Sequence, residues 1–143
     1  MRVRPWKLLV LSAMFAILPV RAEQAPQERP ARDMVEGVWG LEKIVLATGA
    51  METSGGFIFQ GGYYSTAVNY TQEGTWTSIS QFGSYVLEGN RLSLLPSVQV
   101  STRARVANLD PEPPFSLDVT VIGDEMKGVA VKDGTTFIFR RLR

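Results

Sequence analysis

Gly37-Val38-Trp39 and Phe137-Ile138-Phe139-Arg140-Arg141 bracket a stretch that holds only short strand-like runs separated by turn signals. No segment between them sustains the roughly 3.6-residue apolar period of an amphipathic helix, whereas several runs alternate apolar and polar residues. A chain extended almost throughout must protect its sheet edges, and a sheet whose last strand pairs with its first has none left. A Trp-bearing first strand and an aromatic, Arg-ended last strand therefore point to a sheet that closes on itself.

Val38 to Ala47 reads as the first strand and Phe57 to Gln60 as the second, with Gly61-Gly62 turning the chain into Tyr63 to Asn69. Thr71 to Gln81, holding Glu73-Gly74 and Trp76, is the least regular stretch and reads as a loop, a short helix or a lid. Gly83 to Leu87 and Arg91 to Leu95 flank Glu88-Gly89-Asn90, a hairpin signal. Val98 to Val106 alternates. Val98, Val100, Thr102, Ala104 and Val106 share one face, which is expected to be the core face. Gln99, Ser101, Arg103 and Arg105 share the other, which is expected to be wet. Phe115 to Ile122 alternates again, with Phe115, Leu117, Val119 and Val121 inward. Gly123-Asp124 and Lys132-Asp133-Gly134 introduce the last two runs. The pattern predicts an all-β fold over 37–143, a small antiparallel up-and-down β-barrel of about eight strands.

The first residues read differently. Arg2, Arg4 and Lys7 precede an apolar run from Leu8 to Val20, and Val20-Arg21-Ala22 ends in the small residue a signal peptidase reads. Residues 1–22 are thus expected to be a secretory signal peptide; the run falls short of the roughly 20 residues that a membrane span needs. The expected location is exported, periplasmic or secreted, with no stable membrane anchor after cleavage. Residues 23–36, with Pro26 and Pro30, read as a flexible lead-in ending in a short turn at Met34 to Glu36.

Composition narrows the chemistry. The formal charge is +1, and it becomes mildly acidic once Arg2, Arg4, Lys7 and Arg21 leave with the signal. No Lys/Arg cluster remains, so a nucleic-acid partner is not expected. The chain has 0 His and 0 Cys. Thiol chemistry and Ser-His-Asp chemistry are excluded, and the commonest general base and transition-metal ligand are missing. Asp124-Glu125 and Asp110/Glu112 lack the spacing of a calcium loop. No cofactor, no metal site and no enzymatic activity are expected.

Several pieces recur in a known order: Gly37-Val38-Trp39 with Leu41, Gly56 to Phe59 running into Gly62-Tyr63-Tyr64-Ser65, Gln81 through Leu92, and Phe139-Arg140-Arg141. In order and spacing they resemble the bacterial lipocalin-like domains of the calycin superfamily, across nearly all of 37–143. The resemblance implies that Trp39 sits at the closed end of the barrel beneath a basic residue of the last strand. With Phe139 inward, alternation makes that residue Arg141 rather than Arg140, in a cation–π contact worth about 0.5–2 kcal/mol. Gly37, Trp39, Arg140 and Arg141 are then barrel-closure residues. The His that many such domains carry after the hairpin corresponding to Leu92-Ser93-Leu94 has no counterpart here.

The resemblance and the aromatic content together suggest a lumen. Phe57, Phe59, Tyr63, Tyr85, Phe115, Phe137 and Phe139 are expected to line it, either around a cavity for a hydrophobic molecule or as a filled core. Trp76 is expected over the mouth or as a contact beneath a loop, and the open end near Tyr63, Trp76 and Tyr85. Alternation from Trp39 through Leu41 points Lys43 inward as a ligand anchor; a bulge would reverse it. The expected function is an exported, non-catalytic, lipocalin-like protein that binds a small hydrophobic molecule in or at the barrel mouth. The alternative is a cell-envelope structural or protein-interaction module with a packed barrel, acting through an apolar patch around Tyr63, Tyr64 and Trp76.

Overall fold

The computed structural model describes residues 31–102, 107–108 and 113–143. The expected signal segment, residues 23–30, Arg103, Arg105, Asp110 and Glu112 lie outside the described residues. In chain order the elements are α1 (Arg32–Val35), β1 (Gly37–Leu46), β2 (Gly49–Met51), β3 (Thr53–Gln60), β4 (Tyr63–Gln72), β5 (Thr75–Glu88), β6 (Arg91–Ser101), β7 (Ala107–Asn108), β8 (Phe115–Ile122), β9 (Glu125–Ala130) and β10 (Thr136–Arg141).

All pairings are antiparallel. The strands run β1-β3-β4-β5-β6-β8-β9-β10, and β10 returns to pair with β1 from Trp39↔Arg141 to Val45↔Thr136. The result is a closed up-and-down barrel, with β2 added along β1 and β7 along β6. Closure removes the free edges that an all-strand chain would otherwise expose.

Tight turns set the registers. Gly61 and Gly62 take φ of 60° and 88°, and Glu73 and Gly74 take 51° and 76°. Two consecutive positive φ values are the type I′ hairpin geometry, whose twist matches that of the flanking strands. The second of these turns explains why 71–81 is regular where a loop, helix or lid was expected. Thr75 to Gln81 is the first half of β5, paired with β4 from Gln72↔Thr75 onward.

The barrel has a sealed base. The last residues before β1 form α1, whose Val35 is fully buried against Trp39. Trp39 Nε1 donates to the Val35 carbonyl at 2.8 Å. The Arg141 guanidinium lies 4.2 Å above the Trp39 ring and donates to the carbonyls of Glu36 at 2.7 Å and Met34 at 2.6 Å. Gly37 is required beside it: its φ is +126°, and an added Cβ would lie 2.7 Å from Arg141 Nη1. Arg140 faces outward and pairs with Glu42 at 2.8 Å.

Two bulges break the simple alternation. Against β10, the register of β1 shifts between Leu41 and Lys43. Glu42 and Lys43 both face solvent, and Ile44 returns to the core. The inward Lys43 read from alternation is therefore corrected: the extra residue turns it outward. Against β5, β6 inserts Ser97, with Gly83 opposite Pro96 and Phe82 opposite Val98. Beyond it the faces exchange. Ser101 is buried and Gln99 half-buried on the inner side, while Val98 and Val100 are exposed. The valine face expected to be the core face is the outer one.

Arg141→Ala removes the cation–π contact and both bonds to α1, and is expected to cost about 2–3 kcal/mol in urea denaturation. Arg140→Ala should change stability much less. Equal effects from the two substitutions would contradict this account of barrel closure.

Candidate functional site

Most of the expected lumen aromatics do come together. Ring contacts run from Phe115 to Phe137 (5.8 Å), Phe137 to Phe139 (6.3 Å), Phe139 to Phe57 (5.4 Å), Phe57 to Phe59 (5.8 Å) and Phe59 to Tyr85 (5.3 Å). Successive edge-on and stacked pairs satisfy the ring quadrupoles. The column runs from the open end to the base and packs with Leu41, Leu92, Leu94, Leu117, Val119 and Met126. At its foot the Tyr85 hydroxyl donates to Glu36 Oε1 at 3.0 Å, and the same oxygen accepts from the Gly61 amide at 3.0 Å. Burial raises the Tyr85 pKa.

Tyr63 does not join them. It follows the β3–β4 turn at the sealed base, is 59% exposed on the outer face and stacks on Phe82 at 6.2 Å. Tyr85 is also at the base, so neither tyrosine marks an open end. Trp76 lies at the opposite end, at the tip of the β4–β5 hairpin. It is 58% exposed, pairs with Thr71, and lines an outer groove of about 270 Å³ with Ser54, Asn69 and Tyr70.

The open end is where the β1–β2, β4–β5 and β9–β10 turns gather. Leu46, Met51, Val68 and Phe137 pack on the core there yet stay half-buried, and Phe115 is partly exposed beside them. A groove of about 330 Å³ runs between the β1–β2 and β4–β5 tips, lined by Leu46, Gly49, Met51, Glu52, Thr71 and Gly74.

One wall of this mouth is polar. β4, β5 and β6 span 10, 14 and 11 residues, against 6 each for β9 and β10. Cross-strand partners Thr66, Gln81 and Gln99 form one inward row, with Val68, Ile79 and Ser101 above it. Tyr64, only 1% exposed, sits below. Its cross-strand partner is Gly83, which carries no side chain, and an added Cβ there would lie 2.1 Å from the Leu95 carbonyl oxygen. The Tyr64 hydroxyl donates to Gln81 Oε1 at 3.2 Å, and Gln81 Nε2 donates in turn to Gln99 Oε1. Thr66 Oγ1 donates to the Gly56 carbonyl at 2.8 Å. Burial pushes the Tyr64 pKa up to about 12, so this phenol stays a neutral donor at ordinary pH.

Gln81 and Gln99 are absent from the candidates read off the sequence. Tyr64, expected in an exposed apolar patch with Tyr63 and Trp76, is instead buried inside the barrel, while Tyr63 and Trp76 lie at opposite ends and form no patch with it. The available signal was Pro96: a proline inside a strand run marks an edge or a bulge, and a bulge there moves Gln99 inside. On the outer face, a groove of about 400 Å³ is lined by Ile58, Gln60, Tyr63, Ser65 and Phe82. Among the described residues no three acidic side chains converge as a metal site would require.

No protein-family model matches the chain, and no curated protein matches it significantly.

Because burial raises the Tyr64 pKa, the folded state holds its proton more tightly than the unfolded chain, where tyrosine titrates near 10.0. That stabilisation is complete below pH 10 and is lost as pH rises toward about 12. Urea midpoints should fall across this window in the native protein and fall less in Tyr64→Phe. Identical slopes in the two would rule out a shifted Tyr64.

Proposed function

We propose that the chain is a non-catalytic, lipocalin-like protein of the calycin type, exported to the periplasm or medium, that takes a small hydrophobic molecule at the barrel mouth. The observation that carries this reading is the asymmetry of the two ends. At the base, α1, Trp39 and Arg141 exclude water. At the mouth, inward apolar side chains remain half-exposed, and a molecule that covers them gains roughly 25 cal/mol for each Å² removed from water. The order of Gly37-Val38-Trp39, the Tyr63-Tyr64 hairpin and Phe139-Arg140-Arg141 supports the family assignment. Catalysis finds little support in the interior: Arg141 is committed to backbone carbonyls, and the raised pKa of Tyr64 makes it a poor base near neutral pH.

The neutral fluorophore N-phenyl-1-naphthylamine tests the reading. Fluorescence enhancement with a micromolar Kd is expected, weakened at least about tenfold by Met51→Glu, whose charge resists desolvation at the mouth, and untouched by Phe82→Ser on the outer face. Absence of binding would overturn the reading, and so would binding lost through Phe82→Ser alone.

A second reading rests on the outer face. Val38, Ile58, Ser65, Phe82 and Val98 are successive cross-strand partners over β1, β3, β4, β5 and β6, and Phe82 is 52% exposed. The row carries no charge, and exposed apolar stripes of this kind mark contact surfaces. An uncharged stripe is complementary to itself, as a two-fold contact between copies requires. Sedimentation equilibrium would then show a dimer that Phe82→Ser dissociates; a monomer throughout would exclude it.

A further inference from the structure

We propose that the molecule accepted at the mouth enters polar end first and presents an uncharged oxygen acceptor, a ketone, ester or amide carbonyl, to the side-chain amide of Gln99. The proposal rests on the carrier reading above and adds to it the chemistry of the bound head group.

The inference starts from the direction of the Tyr64–Gln81–Gln99 relay. Tyr64 is almost wholly enclosed, and its hydroxyl donates to the oxygen of Gln81. This orients the Gln81 carboxamide with its nitrogen toward Gln99, whose own oxygen accepts. Each carboxamide passes the polarity on, so the relay ends at the Gln99 nitrogen with two N–H donors. Gln99 is half-buried on the inner wall, and its nitrogen meets no acceptor among the described residues. A donor held in place by two preceding hydrogen bonds has little orientational freedom left to lose when it meets an acceptor.

Position in the barrel sets the orientation of the guest. The Thr66–Gln81–Gln99 row lies deeper than Val68 and Ile79, which are next along β4 and β5 toward the mouth. Leu46, Met51 and Phe137 complete the apolar lining across the barrel. A head group at Gln99 therefore leaves its apolar tail among these side chains. The absence of charge follows from the cations near the lumen. Lys43 is turned outward by the β1 bulge, and Arg141 is at the base, bonded to the carbonyls of Met34 and Glu36. Among the described residues no cation faces the relay, and a neutral amide donor offsets the lost hydration of a carbonyl far better than that of a carboxylate.

Three matched probes test this by displacing N-phenyl-1-naphthylamine: hexanophenone, which has a ketone carbonyl; hexylbenzene, which has none; and 4-hexylbenzoate, which is ionised at pH 7. Hexanophenone is expected to compete at about tenfold lower concentration than the other two, the ratio that one hydrogen bond at an enclosed site supplies. Gln99→Leu should bring hexanophenone to within about threefold of hexylbenzene, the two being compared within the same variant; Gln99→Met, unbranched and close in volume, serves if the leucine variant folds poorly. Lys43→Ala should alter none of the three. If the fluorophore and hexylbenzene bind but hexanophenone has no advantage, or keeps it in the Gln99 variants, the head-group proposal is overturned and the carrier reading stands. Preference for 4-hexylbenzoate also overturns it, because a cation then governs the site. Failure of every probe to bind overturns the carrier reading itself.

Discussion

The Arg141 guanidinium ties the two ends of the chain together. It comes from the last residue of β10, lies 4.2 Å from the centre of the Trp39 ring on β1, and bonds the two carbonyls at the end of α1. One side chain thus joins last strand, first strand and helix. It also lies against Gly37, where a larger residue would have to push the guanidinium aside and adopt a strained φ of +126°. Closing the barrel in this register puts Leu41 opposite Phe139 and Ile44 opposite Phe137, so the inward side chains of β1 and β10 meet in pairs. The dry base that results is what allows the aromatic column to stack without buried unsatisfied groups, and among the described residues none is found.

Local signals made much of this legible. Gly61-Gly62, Glu88-Gly89-Asn90 and Asp133-Gly134 marked turns because positive φ at tight hairpins calls for small or Asn/Asp residues. The bookends marked closure because Trp39 and Arg141 need each other. What sequence periodicity misplaced were the faces of two strands. Periodicity describes one strand at a time, whereas a bulge is a relation between two. Glu42 is extra only against β10, and Ser97 only against β5. Neither residue looks anomalous alone. Each reverses every face beyond it, which is why Lys43 was expected inside and Val98 and Val100 were expected in the core. The 71–81 segment was misread for a different reason: Glu73 occupies a positive-φ position of a turn that would ordinarily advertise itself with Asn, Asp or Gly.

The Ser97 bulge has consequences on both sides of the sheet. Without it, β6 would bury Val98 and Val100 and expose Gln99 and Ser101, the arrangement that favours stability most simply. With it, Val98 and Val100 stay 36% and 49% exposed, which forgoes part of the roughly 1.5–3 kcal/mol that full burial of each would contribute. Polar side chains also enter the barrel, where they are tolerated only if hydrogen-bonded. Tyr64, Gln81 and Gln99 hydrogen-bond to one another, and Gly83 admits the close approach of the β6 backbone at Leu95 and Pro96 beside the bulge. The same inversion places Val98 beside Phe82 on the outside, completing the apolar stripe with Ile58. A single inserted residue therefore brings Gln99 and Ser101 into the polar wall within the mouth and Val98 and Val100 onto the apolar surface without. Departures from the most stable local arrangement concentrate where a surface is used, and here the two departures share one cause. The interior one is also hydrogen-bonded in sequence from Tyr64 through Gln81 to Gln99, leaving a single donor at its end, in a way that the exterior stripe is not.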